Sequence, residues 1–158
     1  MRFNALSPES RVWIFQSDRK LTTDETQNIR MEANHFAENW VSHNKDLEAA
    51  AEIYHDQFLV LAVDEGVQEA SGCSIDSSYN FIERIENKYN LNLLKRDLIA
   101  FFIKDKIELI SIKDIGFHVE NGMINPNTRF FNALITKKSE LDSKWLVPVS
   151  EGWVSRYL

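Results

Sequence analysis

Six consecutive apolar residues, Phe58 to Val63 (FLVLAV), constrain the fold more than any other stretch of this 158-residue chain. A strand with one wet face alternates apolar and polar side chains. A run that does not alternate belongs in the middle of a sheet, with both faces covered. The flanking sequence must therefore supply neighbouring strands and a covering layer. Residues 11–17 (RVWIFQS) read as a first strand, being β-branched and aromatic after a Ser-Pro turn signal. Residues 49–55 (AAAEIYH) read as a second strand, with Asp56-Gln57 as the tight turn into FLVLAV.

Two helices are expected to form the cover. Over residues 22–43, Ile29, Ala33, Phe36, Ala37, Trp40 and Val41 recur with helical spacing as one apolar stripe. Thr22 and Glu25 have the spacing of a capping box, and Asn44 is a natural stop. A second helix is predicted over 76–89, with Phe81, Ile82, Ile85 and Tyr89 on one side and Asp76 or Ser74 as its N-cap. Further on, LIAFFIK and IELISIK flank Asp105-Lys106 as a hairpin. KDIGFHVENG suggests a short helix closed by Gly122. TRFFNALI suggests a further strand after the Asn125-Pro126-Asn127 turn. Thr136 is placed to cap a helical turn, and SEGWVSRYL reads as a C-terminal helix after Pro148.

The resulting fold class is α+β: a mainly antiparallel sheet with two principal helices, in one domain over residues 1–158. The order β-α-β-β-α-β across residues 11–104 is that of a ferredoxin-like unit, with a C-terminal extension. A net charge of −6 argues against nucleic acid and anionic membrane surfaces as partners. No stretch approaches the roughly 18 apolar residues of a spanning helix. The single cysteine excludes an internal disulfide framework, and the N-terminus lacks the apolar core of a secretory signal, so a reducing cytoplasm is the expected compartment.

Chemistry-bearing residues gather around ASGCSIDSS, residues 70–78, which follows FLVLAV and holds the cysteine. Three physical readings apply. In the first, Cys73 is a thiolate nucleophile near a helix N-terminus with His55 as its base. The nearby carboxylates Asp64, Glu65, Glu69 and Asp76 oppose it by raising a thiol pKa. In the second, Ser71, Gly72, Cys73, Ser74, Asp76, Ser77 and Ser78 form a ligand-binding loop for an anion, with Mg²⁺ held by Asp64 and Glu65 as bridge. In the third, favoured on these residues, the loop is a turn and a helix cap. Gly72 supplies a positive φ and Cys73 packs as a small apolar side chain.

No other motif competes. His35, His43, His55 and His118 lack metal-ligand spacing, and neither a GxSxG elbow nor a phosphate-cradling glycine loop is present. The segments SRVWIFQSDR, YHDQFLVLAVDE and ASGCSIDSS, with the tail TRFFNALITKKSELDSKWLVP, resemble a family of short bacterial proteins labelled ABC transporter ATPase. The resemblance spans most of the chain and is most specific over residues 54–78. It implies a name and no catalytic residues. An ATP-binding cassette needs a Walker A lysine loop, and this chain has none. The expectation is thus a binding or accessory protein with no cofactor and with a protein or small-molecule partner. The alternative is a small enzyme using Cys73, or Mg²⁺ on Asp64 and Glu65, on a phosphorylated or thioester-like substrate.

Overall fold

The computed structural model describes residues 2–158. Its class is α+β, with open antiparallel sheets and helices. The described chain divides into two compact units, one of residues 2–94 with 136–139, the other of 95–135 with 140–158.

The first unit runs from α1 (Arg2–Ala5) through β1 (Arg11–Gln16), α2 (Thr23–Glu38), β2 (Val41–Ser42), β3 (Lys45–Asp46), β4 (Ala49–Tyr54) and β5 (Phe58–Val63) to α3 (Gly72–Tyr89). The FLVLAV strand is β5 and lies in the middle, in the order β1-β5-β4, antiparallel to both neighbours. All six of its residues are buried. Leu59, Leu61 and Val63 join Phe15, Ala51 and Ile53 under the helices, where Ile29, Ala33, Phe81, Ile82 and Ile85 complete the core. Phe58, Val60 and Ala62 are buried on the opposite face. On β4, Tyr54 meets Phe3 of α1 edge-on at 6.0 Å.

Helix α2 opens on the predicted capping box, Thr22 with Glu25. It ends at Glu38, five residues before the predicted end at residue 43, because the backbone N–H of Asn39 closes back onto Phe36 and Ala37. Trp40, freed from the helix, buries its ring, and its Nε1 donates to the Ser74 carbonyl at 2.7 Å. His43 and Asn44 then form the turn of the β2–β3 hairpin, both at positive φ.

The outer edge of β4 is closed by side chains. The Asn34 carboxamide accepts from the Ala51 N–H at 3.0 Å and donates to the Ala51 carbonyl at 3.1 Å. Arg2 donates to the Ala49 carbonyl at 2.8 Å, and Glu52 accepts from the Ile53 N–H at 2.8 Å. The outer edge of β1 is met by residues 136–139. The Val12 N–H donates to the Thr136 carbonyl at 2.9 Å, and Arg11 bridges Lys137. The helical turn predicted from Thr136 therefore starts only at Glu140.

The second unit comprises β6 (Leu98–Ile103), β7 (Lys106–Ser111), α4 (Ile115–Glu120), β8 (Arg129–Phe131), α5 (Glu140–Ser143) and β9 (Leu146–Pro148). Its sheet has the order β7-β6-β8-β9, antiparallel throughout. Phe101, Ile110, Ile115, Ile124, Phe130, Val149 and Val154 form its core. Gly122, at φ +83°, follows α4 as predicted. Gly152 lies so close to Phe130 that a Cβ there would meet the ring at 2.3 Å. The predicted C-terminal helix is instead two 3₁₀ turns, Val149–Glu151 and Trp153–Tyr157.

The β-α-β-β-α-β order holds along the chain once the short β2–β3 hairpin is set aside, but its spatial expression departs from a ferredoxin-like sheet. Strand β1 pairs antiparallel with β5, and the final strand, β6, belongs to the other sheet. Both long hairpins turn on non-glycine pairs at positive φ: His55-Asp56 and Lys104-Asp105. In the β6–β7 turn they fill a two-residue loop, the type I′ arrangement that suits strand twist, whereas the β4–β5 loop also takes in Gln57. Each turn sits one residue earlier than predicted.

Candidate ligand-binding groove

The ASGCSIDSS segment is the start of α3. Ser71 is the N-cap, displacing Asp76 and Ser74 from that predicted role. Its hydroxyl accepts from the Ser74 N–H at 3.2 Å while the Ser74 hydroxyl accepts from the Ser71 N–H at 2.7 Å. This reciprocal box stabilises the helix four residues earlier than expected, since serine at the third helical position here does what glutamate usually does. Gly72 is the first helical residue, and no positive φ is needed there.

The other small hydroxyls bond carbonyls of their own helix. Ser78 is buried and donates to the Ile75 carbonyl at 2.6 Å; Ser77 donates to the Cys73 carbonyl at 3.0 Å. Asp76 is exposed on the helix flank. Cys73 is exposed too, against the expectation that it packs as an apolar side chain.

His55 sits in the β4–β5 turn, at the opposite end of β5 from the loop leading to Cys73. A six-residue strand separates those ends by about 20 Å, so the structure does not bring the pair together. Burial against Phe58, whose ring lies 6.2 Å away edge-on, pushes the His55 imidazole below its usual range, and Asp56 opposes the shift only in part. Asp64 accepts from the Gly66 N–H at 3.0 Å. Glu65 accepts from the Ala70 N–H at 3.0 Å and faces Arg11 at 3.8 Å. These two carboxylates brace the loop. Among the described residues, no three His, Cys, Asp or Glu side chains converge as a metal site.

A concave surface lies elsewhere on the same unit, between α2 and α3, as an open groove of about 590 Å³. Helical spacing builds one wall: Met31 and His35 are four residues apart, as are Glu32 and Phe36, with Asn39 beyond. Phe81 and Arg84, three apart, form the α3 wall. The floor is the stacked pair Phe36 and Phe81, with centroids 4.6 Å apart and ring planes 13° apart. Trp40 backs it, 5.1 Å from Phe36. Met31 stands exposed at the rim (69% accessible), an unusual place for a flexible apolar side chain on a helix that otherwise buries its apolar stripe.

The rim charges are arranged unequally. Glu32 accepts from Lys88 Nζ at 2.8 Å and receives a very short hydrogen bond from the Tyr89 hydroxyl. Burial pulls the Glu32 carboxyl upward, but the bonds from Lys88 and Tyr89 outweigh it and hold it below the usual carboxylate range. Burial and Glu32 together push the Tyr89 phenol up to about 12. Arg84 lies 5.6 Å over the Phe81 ring and joins no ion pair among the described residues. The lining offers no hydroxyl or thiol nucleophile, so what the arrangement supplies is an aromatic floor, a pliant methionine and a cation.

The sequence reading placed Phe36 and Phe81 in the core stripes and missed Met31, Glu32, His35, Asn39 and Arg84. The available signal was Met31, the one large apolar residue off the α2 stripe. No family model matches the chain, and no curated protein or solved structure matches it. Among the described residues, no helix is long and apolar enough to cross a membrane.

Proposed function

We propose that this chain is a non-catalytic, cytoplasmic binding protein whose α2–α3 groove takes a small organic ligand. The observation that carries the reading is the groove itself: concave, about 590 Å³, and floored by a stacked aromatic pair. That volume is within the roughly 300–1,000 Å³ of small-molecule sites, which combine apolar lining with a few polar groups. The loop at residues 70–78 becomes a helix start and leaves the proposal. The likeness to the family labelled ABC transporter ATPase adds a name to this reading. The missing Walker A lysine loop keeps ATP hydrolysis out of it.

The test is an NMR titration of the intact chain, labelled at methionine methyls and phenylalanine rings, with 2-naphthalenemethanol as a neutral probe. Saturable shifts at Met31, Phe36 and Phe81 are expected. Shifts confined to residues outside the groove, or no saturable shift, would overturn the proposal.

A further inference from the structure

We infer that the ligand of this groove is an amphipathic anion, a carboxylate on a ring-sized apolar body, and that Arg84 receives the carboxylate. The inference rests on the groove being the binding site. Its independent support is how the cations of this unit are used. Of its five arginines, Arg2, Arg11, Arg19 and Arg30 all face carboxylates, Glu38, Glu65, Glu25 and Glu52. Arg84 alone makes no ion pair among the described residues, its charge reaching Glu32 only through space. On its own helix the neighbours three and four residues away are Phe81, Asn87, Asn80 and Lys88. The one carboxylate across the groove, Glu32, is already bound by Lys88 and Tyr89.

A chain of net charge −6 therefore leaves one of the five arginines of this unit without an ion-paired carboxylate, at the rim of an aromatic groove. A guanidinium resting on an aromatic face keeps its planar edge of N–H donors available, and that edge matches a carboxylate in two parallel hydrogen bonds. An apolar ring over Phe36 and Phe81 would put such a carboxylate at the Arg84 end. A purely apolar ligand would leave the guanidinium unused. A cationic ligand would meet it with repulsion.

The experiment compares 2-naphthoate, 2-naphthalenemethanol and 2-naphthylmethylamine by the same titration, on the native chain and on Arg84→Gln. Arg84 is exposed, so the variant is expected to fold, which its undisturbed spectrum outside the groove verifies. The expected result is naphthoate binding about tenfold tighter than the alcohol, with added salt weakening naphthoate alone. In Arg84→Gln the two dissociation constants should converge at the value for the alcohol. Equal binding of acid and alcohol in the groove, or tightest binding of the amine, overturns the anion and leaves the groove reading intact. Failure of all three probes to shift Met31, Phe36 and Phe81 overturns both.

Discussion

Replacing Asn34 with alanine removes one carboxamide and opens the outer edge of β4. Ala51 is 1% exposed, and its N–H and carbonyl are both satisfied by the Asn34 side chain. In effect, helix α2 lends the sheet one residue of a missing strand. Two neutral hydrogen bonds contribute about 1 kcal/mol each, and a buried backbone group left unpaired costs about 1–3 kcal/mol. Alanine returns up to about 0.7 kcal/mol through its higher helix propensity. The net expectation is a loss of about 2 kcal/mol, or roughly 4–8 °C in Tm for a chain of this size. Asn28→Ala is the control, since Asn28 is exposed on the same helix and its replacement should be neutral or slightly stabilising. Urea unfolding followed by circular dichroism gives both midpoint and slope. If Asn34→Ala lies within about 0.5 kcal/mol of the control, the edge is satisfied by water and the reasoning fails.

Acid should act through Glu25, which Arg19 grips with two hydrogen bonds of 2.8 Å. Those bonds, with the Thr22 N–H next, hold its carboxyl at about 2 against an ordinary 4.5. A carboxyl depressed in the folded state contributes stability above its unfolded pKa and loses it as pH falls through the folded one. Tm should therefore decline between pH 4.5 and pH 2, and Glu25→Gln should flatten that window; an unchanged slope would remove Glu25 as its source. A different change should strengthen the fold: Lys104-Asp105→Asn-Gly relieves two non-glycine residues at φ 52° and 62°. With a cost of about 1–2 kcal/mol per strained residue, offset by the added freedom of glycine in the unfolded chain, a gain of about 1 kcal/mol is expected in urea melts. No gain would mean the turn carries little strain.

How much of this was legible follows from the range of each interaction. FLVLAV announced a central strand because burial on both faces is written in six adjacent residues. The α2 capping box was equally local. The α3 cap was misplaced because Ser71 and Ser74 use a serine where the usual pattern has glutamate or glutamine, while Asp76 and Ser74 both carry capping side chains. Strand partners were less accessible still. The sequence order fits a ferredoxin-like unit and the β6–β7 hairpin is local, yet whether β6 also joins β1 depends on competition between distant segments, which periodicity does not record. The groove was hidden for the same reason. Phe36 and Phe81 lie 45 positions apart (81 minus 36), and only their stacking turns two core-edge aromatics into a floor.

The return of residues 136–139 to the edge of β1 has a consequence for synthesis. A ribosome releases the chain from its N-terminus, so every other element of the first unit emerges while the partner of Val12 is still 124 residues away (136 minus 12). Until that short segment arrives, the growing chain carries a hydrogen-bonding edge open to whatever extended peptide passes. The last pairing of the first unit thus waits until most of the second has left the tunnel, which ties the two halves into one event of maturation.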